Sequence, residues 1–523
     1  MPTDMGTQAY GGKVFRLIAE EKKFGVSPTE ERTGTIDFDA ATKTMTTTDA
    51  DLFAGLAVGQ IITIPDGANE GIKTIAAVQN ETSPYVITVE ETLIDASAVT
   101  VTGMEVPPKR VILNTTGGDI KDTYEREEVA DVRPDRQAGH GILKNKGADL
   151  SNESHLRLES AMLQPLIAAS LACEAKPQEI FENLTLSISI VDGEVILTDD
   201  NGGTFEKIEE QDQIELIEPE TGGFLQVDNL GVKSVYKSPF TVVKPNDGSG
   251  SLVIDNGYPL VAESAVTGCR LVRGYRFRNG TSMPNSEPEV FRSFSIETQD
   301  MNSKDGTVGD YREYTGVMVS GLSISVADGI VPFNVTFALC GKGRRNPMKP
   351  GDSAYPYSTA AEVDPTGNEI VGATTFLRQG HTLTAFKEVS FELSDLVEAG
   401  RENGVSEGSD DGYWPSYVIP KTLKPSGTVK VRHTSLDPTR AVEVNEQFPL
   451  TIRLESKNTA AGVQSGNGLI IHMPSCMYTE EGLSSAANDG VREQDLPYEA
   501  REFTLDNGGT FTVQMTFFDR AAY

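Results

Sequence analysis

Short apolar runs of strand length recur along almost the whole chain, and turn residues separate them. Residues 60–64 (QIITI) end at a Pro-Asp-Gly turn, and residues 331–339 follow an Asp-Gly turn. Thr, Val and Ile are frequent in these runs, and the chain has 50 glycines. This combination is typical of short strands joined by tight turns. The sequence therefore predicts a mainly β fold, with 317–326 as one long strand or a strand pair and a hairpin over 503–518.

Helical periodicity is confined to two places. Residues 159–172 place apolar side chains on one helical face, and polar residues before them could cap this helix. The candidate caps are Asn152, Ser154 and Ser160, and the apolar face holds Met162, Leu163, Leu166, Ile167 and Leu171. Residues 393–399 predict a second short helix that ends at Gly400.

Length and internal similarity suggest several domains. With 523 residues the chain exceeds the roughly 250–300 residues at which a single core stops growing. Residues 33–105 have the pattern of a small β-module, and a similar pattern returns over 190–272. The matching positions are Phe53, Leu56, Gln60 and Ile61 in the first module and Phe205, Ile208, Gln213 and Ile214 in the second. This match predicts a duplicated module, and a chance match of short strand patterns is the alternative.

The charge of the chain is strongly acidic. There are 77 Asp and Glu against 45 Lys and Arg, which gives a formal net charge of −32. Such a surface repels the phosphate backbone and disfavours a protein that grips nucleic acid by releasing counterions. Two interpretations stay open: the charge serves solubility alone, or it forms a surface along which DNA slides without sticking.

The four cysteines show no paired spacing, and each lies in or beside an apolar stretch. They are Cys173, Cys269, Cys340 and Cys476. Buried free thiols in a reducing compartment explain this pattern better than a disulfide framework or a zinc site. No apolar segment follows Met1, and no run approaches the roughly 18–20 apolar residues of a membrane span. We therefore expect a protein that is made and kept in a cytoplasm, or released from one by lysis.

No residue pattern carries the chemistry of an enzyme. Residues 404–408 (GVSEG) have the spacing of a nucleophile elbow, but charged flanks replace the strand and helix that this motif needs. The five histidines are far apart and form no metal-ligand spacing. The acidic pairs at 199–200 and 410–411 lack the spacing of a calcium loop and are interpreted as turns. The sequence therefore predicts no catalytic, cofactor-binding or metal-binding residue, and no enzyme.

Five separated segments have short motifs that follow one another in a set order. They are 20–28 (EEKKFGVSP), 127–137 (EEVADVRPDRQ), 146–150 (KGADL), 293–297 (SFSIE) and 314–324 (YTGVMVSGLSI). In this order, and with the predicted helix after the third segment, they resemble the major tail tube proteins of long-tailed (siphovirus-type) bacteriophages. Each motif is weak, and their shared order carries the resemblance. Pro134 and the two large modules depart from the family pattern and leave the type of tail open.

The resemblance implies β-sandwich units with one helix, whose inner sheets join between subunits into a continuous barrel. We expect a mainly β chain with two tail-tube-type β-sandwich or barrel units, one or two short helices and inserted small β-modules. The expected divisions are 1–32 (arm and first strand of tube unit 1), 33–105 (inserted module), 106–180 (tube unit 1, with the helix at about 159–172), 181–280 (second inserted module), 281–345 (tube unit 1 continued) and 346–523 (tube unit 2).

The resemblance also implies a structural subunit of the virion tail, assembled in the host cytoplasm, that polymerises into stacked rings and conducts genome DNA. Two units per chain predict a homotrimeric ring with pseudo-sixfold symmetry and an acidic lumen that DNA crosses without specific binding. Further expected partners are the tape measure, tail terminator and tail-tip proteins, with no cofactor. Residues 114–147 are interpreted as a charged loop between rings, and Arg133, Asp135 and Arg136 as inter-subunit contacts or, alternatively, as solvated loop residues.

Three other functions compete with this interpretation. A tail-tip adaptor or capsid decoration protein has a related β fold but forms monomers or single rings. A surface adhesin built from Ig-like modules would need an export signal. An enzyme would need one convergent set of polar residues.

Overall fold

The computed structural model describes most of the chain, and every structural statement below refers to the described residues. These are 13–26, 28–54, 56, 58, 60–65, 67–79, 82–107, 109–128, 141–202, 205–217, 239–245, 250–255, 260–301, 308–346, 358–363, 369–380, 382–400, 413–415, 417–432, 441–456, 467–480, 482–483 and 493–520.

A branched sheet of 19 strands forms the body of the molecule, and seven antiparallel strands make up its first half. They are β1 (Lys13–Glu20), β8 (Lys109–Ile112), β9 (Ile120–Glu128), β10 (Gly141–His155), β18 (Phe294–Met301), β19 (Val308–Val326) and β20 (Pro332–Leu339). Their spatial order is β9-β10-β20-β19-β18-β1-β8. The helix α1 (Leu163–Ser170) follows β10 in the chain.

The second half repeats this arrangement with seven later strands. They are β23 (Thr375–Gln379), β24 (Thr382–Leu383), β25 (Glu388–Leu393), β28 (Ser426–Arg432), β29 (Phe448–Glu455), β30 (Gly468–Tyr478) and β32 (Glu493–Ala500). Their order is β25-β28-β32-β30-β29-β23-β24, again antiparallel throughout. A helical turn at 441–443 follows β28, as α1 follows β10. The two halves therefore match strand for strand.

Nine shorter strands complete the non-barrel part of the fold. β17 (Tyr275–Arg278), β21 (Gly343–Asn346), β22 (Thr359–Val363), β31 (Gly482–Leu483) and β35 (Gln514–Phe518) extend the large sheet, while β26 (Val397–Gly400) pairs with β27 (Tyr417–Pro420) and β33 (Phe503–Thr504) with β34 (Thr510–Phe511). A 3₁₀ turn spans Gly372–Thr374.

The two halves are joined by β25 and by the last residues of β19, which extend beyond the part of β19 that pairs with β18, and we call this pairing the internal joint. Its antiparallel register runs from Leu322 opposite Leu393 to Val326 opposite Val389. Ile324 and Phe391, which face each other across the joint, are 2% and 1% exposed. One hydrophobic core contains buried side chains from both halves and from α1. The halves are therefore parts of one packed body.

Two closed six-stranded barrels are attached to this body. The first comprises β2 (Glu30–Asp39), β3 (Thr44–Thr47), β4 (Ile61–Ile64), β5 (Gly71–Gln79), β6 (Tyr85–Val89) and β7 (Ala96–Val106); the second comprises β11 (Glu179–Val191), β12 (Glu194–Asp199), β13 (Gln213–Ile217), β14 (Phe240–Lys244), β15 (Ser251–Asp255) and β16 (Glu263–Arg273). Counted from its own first strand, each barrel has the order 1-2-5-4-3-6. Phe53 and Leu56 lie in the first core as Phe205 and Ile208 lie in the second. The chain divisions drawn from the sequence stay a prediction.

The mainly β fold and the strand at 317–326, which is part of β19, are confirmed. The helix predicted over 159–172 is shorter, because α1 begins after Met162 and no side chain caps it. Two of the candidate caps, Asn152 and Ser154, lie in β10, where the Ser154 hydroxyl donates to the Phe333 carbonyl at 3.0 Å.

Two other local predictions were wrong. No helix spans 393–399, since β25 ends at Leu393 and Val397–Gly400 forms β26. Gly400 lacks a side chain for a packing reason: an added Cβ would lie 2.0 Å from the ring of Tyr417. The C-terminal hairpin stops at Phe511, and Gln514–Phe518 instead pairs with β17 and β30.

Replacing Phe391 with alanine tests the internal joint. We expect the substitution to lower the free energy of unfolding by about 3–5 kcal/mol, because it leaves a cavity in a core that both halves share. Glu392→Ala, on the exposed face of the same strand, should change the stability by less than about 0.5 kcal/mol. Urea unfolding of both variants measures the difference. Equal effects would show that the joint adds no packing energy.

Candidate functional site

Eight neighbouring strands form an antiparallel ribbon that crosses from one half to the other. Their order is β9-β10-β20-β19-β25-β28-β32-β31, with the internal joint in the middle. Successive residues of a strand point to opposite faces. One face of the ribbon therefore covers the hydrophobic core, as the strict alternation of buried and half-buried residues in Glu493–Ala500 shows. The opposite face, which we call the polar face, is turned away from the core.

Carboxylates outnumber cations on the polar face. Its acidic residues are Asp119, Glu125, Asp149, Glu153, Glu388, Glu392, Glu493, Asp495 and Glu499, and the cations on it or paired with its carboxylates are Lys121, Lys144, Lys387, Lys430, Arg432 and Arg501. Ser, Thr and Asn fill most of the other outward positions, such as Ser323 opposite Asn334 and Ser325 opposite Ser390. The polar face is therefore hydrophilic and acidic.

Two of these cations, Lys121 and Lys430, each lie between two carboxylates. The Lys121 ammonium lies 2.8 Å from Asp119 and 3.6 Å from Asp149. The Lys430 ammonium lies 3.5 Å from Asp495 and 3.9 Å from Glu493. These exposed pairs add little stability, but they neutralise the positive charge locally. A phosphate backbone near this face would meet net negative charge and few free donors.

The ribbon ends in two strands that have a neighbour on one side only. In the described part of the chain, β9 pairs with β10 alone and β31 with β32 alone. An open strand edge exposes a row of unpaired N–H and C=O groups and is a template for pairing with another chain. The two edges lie at opposite ends of the ribbon. A chain with two such edges can pair with one further chain on each side.

The second barrel is fixed to the large sheet by buried ion pairs. Arg276 of β17 is 1% exposed; its guanidinium lies 2.7 Å from Asp212, 2.7 Å from Glu287 and 2.9 Å from Glu209. Lys176 contacts Glu209 and Glu287, each at 2.8 Å. Removing one partner of such a cluster leaves an uncompensated buried charge, which is strongly destabilising. The cluster therefore holds the barrel in one orientation.

A second set of polar contacts supports the same junction. Arg520, after β35, forms ion pairs with Glu215 of the second barrel and with Glu455 of β29. His472 of β30 contacts Thr451 through Nδ1 at 2.9 Å and Gln211 of the barrel through Nε2 at 3.0 Å. Between these groups a small apolar cluster is buried, consisting of Ile217, Val272, Ile470 and Phe518.

The electrostatics of the junction shift several pKa values. Burial opposes the ionisation of Glu209, but Arg276 and Lys176 outweigh it and lower the pKa of Glu209 to about 2. Burial and the charge of Arg276 lower the pKa of Arg278 to about 10. Burial, with Arg378 nearby, lowers the pKa of His472 to about 3. His472 is therefore neutral at physiological pH and acts as a hydrogen-bonding strut.

The predicted inter-subunit contacts fall outside the described residues, and their role stays a prediction. They are Arg133, Asp135 and Arg136, in the segment between β9 and β10. The interpretation of 114–147 as a loop was wrong, because β9 and the start of β10 occupy most of its described residues and pair antiparallel. Its alternating polar residues belong to a strand pair with one face on the core.

The acidic pair, the histidine and the cysteines that were considered as candidates for catalysis or metal binding have roles in the fold. Asp199 accepts backbone hydrogen bonds from Thr185 and Asn201 at a strand end, which confirms the predicted turn. His472 is a buried strand residue, and all four cysteines are free and buried, as expected. Within the described ranges, no group of three or more His, Cys, Asp or Glu could hold a metal ion. Residues 404–408 are not among those described.

Comparison with protein families gives one match. The model of the family described as phage tail tube protein matches residues 17–500, which is nearly the whole chain. The chain belongs to the phage tail tube protein family. The resemblance found in the separated motifs is thereby confirmed. Membership indicates a structural rather than a catalytic role, implies a component of the virion tail, and implies self-assembly into a tube.

Two further findings bear on the class of protein. No curated protein matches the chain. Among the helices of the described residues, none has the length and apolar character needed to cross a membrane.

Substituting Glu209 with glutamine tests the ion pairs that hold the second barrel. Because the pKa of Glu209 is lowered in the folded protein, its ionic contribution is present above its ordinary pKa near 4.5 and is lost as the pH falls towards 2. Wild type should therefore be more stable than Glu209→Gln at pH 6, and the difference should shrink below pH 4.5. Thermal unfolding of both proteins across pH 2–7 measures it. A difference that persists at pH 2 would contradict this assignment.

Proposed function

We propose that the chain polymerises into stacked rings that form the tube of a phage tail, the conduit for delivery of genome DNA. Two matching halves joined edge to edge support this proposal most directly. The internal joint is a side-by-side pairing of two units with the same strand order, as expected between neighbouring units of a ring. The two remaining ribbon edges allow the same pairing to continue from chain to chain.

We propose three chains in each ring. Each chain supplies two units, so three chains give six units with pseudo-sixfold symmetry. Their ribbons of eight strands would close into one barrel and remove the open edges. Closure gives a physical reason for polymerisation, because the ordered edges need little rearrangement to pair.

The polar face is the proposed lining of the lumen. In a closed ring, the core of each unit lies behind the ribbon and the polar face points to the axis. The excess of carboxylates then repels DNA phosphates, so the genome passes without specific binding. The uneven charge of the polar face supports this interpretation over a charge that serves solubility alone.

Contacts between stacked rings are proposed for the segment between β9 and β10, which includes Arg133, Asp135 and Arg136. Tape measure, tail terminator and tail-tip proteins are the proposed partners at the inside and the ends of the tube, and assembly is proposed to occur in the host cytoplasm. A tail-tip adaptor or decoration protein would share the fold but would not stack into tubes.

Electron microscopy of the purified chain tests the ring proposal. We expect hollow tubes of uniform width whose end-on averages show six units, while the mass of one ring equals three chains of 56.4 kDa. Mass photometry of dissociated rings measures that mass. Rings of six chains would contradict the three-chain ring, and monomers or single rings at high concentration would contradict the tube.

Reversing charges on the polar face tests the lumen proposal. The triple variant Glu388→Lys, Glu392→Lys and Glu499→Lys should make tubes that retain short double-stranded DNA at low salt and release it as salt increases. The matched control, Glu70→Lys, Glu90→Lys and Glu105→Lys, makes the same charge change on exposed positions of the first barrel. Co-sedimentation of labelled DNA measures retention. Equal retention by both variants would place the lumen elsewhere.

A further inference from the structure

We infer that β9 of one chain pairs, antiparallel, with β31 of the next chain, in a register that the internal joint specifies and that sets Ile120 opposite Leu483. The occupant of the open β9 edge is thus a second copy of this chain. This inference rests on the proposed ring assembly and adds the strands and residues at which adjacent chains meet.

The correspondence between the halves identifies the strands. In the second half, β25 takes the place that β9 takes in the first half, at the start of the matching order. The outer edge of β25 is paired with β19 of the same chain. The counterpart of β19 in the second half is β30. Both β30 and β31 pair with β32, so β31 extends the line of β30 along that strand. By this correspondence, β9 should pair with the β30–β31 strand of another chain.

The ladders fix the register on the receiving side. In the first half, Val317 is opposite Leu339 and Ile324 is opposite Phe333. In the second half, Cys476 is opposite Ala500 and Leu483 is opposite Gln494. In both halves the two pairs are seven residues apart on the first strand and six on the second.

The other neighbours of these strands anchor the comparison. Val317 is opposite Phe294 and Tyr314 is opposite Ile296, with a bulge between the two pairs, just as Cys476 is opposite Phe448 and Met473 is opposite Leu450. Val317 and Cys476 thus correspond, and Leu483 is therefore the counterpart of Ile324.

The same procedure fixes the register on β9. Leu150 is opposite Phe337, four residues beyond Phe333, just as Gly427 is opposite Tyr498, four residues beyond Gln494. Leu150 and Gly427 thus correspond.

The next strand follows directly. Asp149, before Leu150, pairs with Lys121, and Ser426, before Gly427, pairs with Glu392. Ile120 is therefore the counterpart of Phe391. Since Phe391 lies opposite Ile324 in the internal joint, Ile120 lies opposite Leu483 of the next chain.

The burial of Phe391 and of Ile120 agrees with this correspondence. Phe391 lies in a strand with neighbours on both sides, whereas the strand of Ile120 has a described neighbour on one side. Phe391 is 1% exposed, whereas Ile120 is half-buried and packs against the margin of the main core. Arg16 already donates to the carbonyl of Gly118 at 2.6 Å. We therefore expect the ladder between chains to begin at Ile120 and to extend towards Asp122.

A disulfide trap tests the register. In the double variant Ile120→Cys and Leu483→Cys, assembled tubes treated with a mild oxidant should give covalent dimers and trimers on a non-reducing denaturing gel. Directly opposite residues have Cβ atoms close enough for a disulfide. The series of cross-linked bands on the gel should end at the trimer, because the third joint closes the ring. Oxidised wild-type tubes control for the four native thiols, which are buried.

The matched control variant is Lys121→Cys with Leu483→Cys. A shift of one residue along a strand moves a side chain to the other face, so this pair should remain uncross-linked. Equal cross-linking in both variants, or none in well-formed tubes, would overturn the register while leaving the tube function intact. A series of bands that continues to six chains would support the joint and overturn the three-chain ring.

A structure of wild-type tubes decides the case if the cysteine variants do not assemble. The expected result is β9 about 4.8 Å from β31 of the adjacent chain. Any other neighbour for β9 would overturn the inference. Failure of wild type to form tubes under any condition would overturn the proposed function, and with it the joint.

Discussion

Main-chain pairing between β19 and β25 is the interaction on which the rest of the molecule depends. It covers one edge of each half, and an unpaired edge would expose N–H and C=O groups to any passing strand. It also lines up Ile324 and Phe391 so that the buried side chains of both halves form one core. Without the joint, each half would lose an edge partner and part of its core together. The ribbon, its polar face and its two outer edges all follow from this pairing.

Much of the fold could be predicted from the sequence, since alternation of apolar and polar residues is a local signal. The strand at 317–326, the patterned modules and the helical region near Leu163 are examples. The prediction of a helix over 393–399 failed because the signal there was ambiguous: a short apolar run followed by Gly400 is typical of a helix end. The glycine is instead required by the ring of Tyr417, which belongs to a strand 17 residues later. Tertiary contacts of this kind override local preference.

Less of the candidate site than of the fold could be predicted from the sequence. Carboxylates at three of the four alternate positions in Glu493–Ala500, interrupted by Pro497, indicate a solvated strand face, but nothing local shows which strands lie beside it. The ion pairs at the second barrel have no sequence signature, because Arg276 is 64 residues from Asp212 and Arg520 is 305 residues from Glu215. Likewise, the spacing of the histidines shows no metal motif but does not indicate that His472 contacts Thr451 and Gln211. Matching the two halves required the pairing of strands, which sequence patterns do not contain.

The two halves differ in what they carry between matching strands. In the first half, the link from β1 to β8 contains the first barrel, whereas the corresponding link from β23 to β24 is a tight turn. The second barrel is likewise inserted only in the first half, between α1 and β17. Because two units belong to one chain, one unit can carry large inserted domains while the other unit carries none. In the proposed ring, the two barrels would recur once per chain, so that every second unit around the circumference carries both of them and its neighbours carry neither.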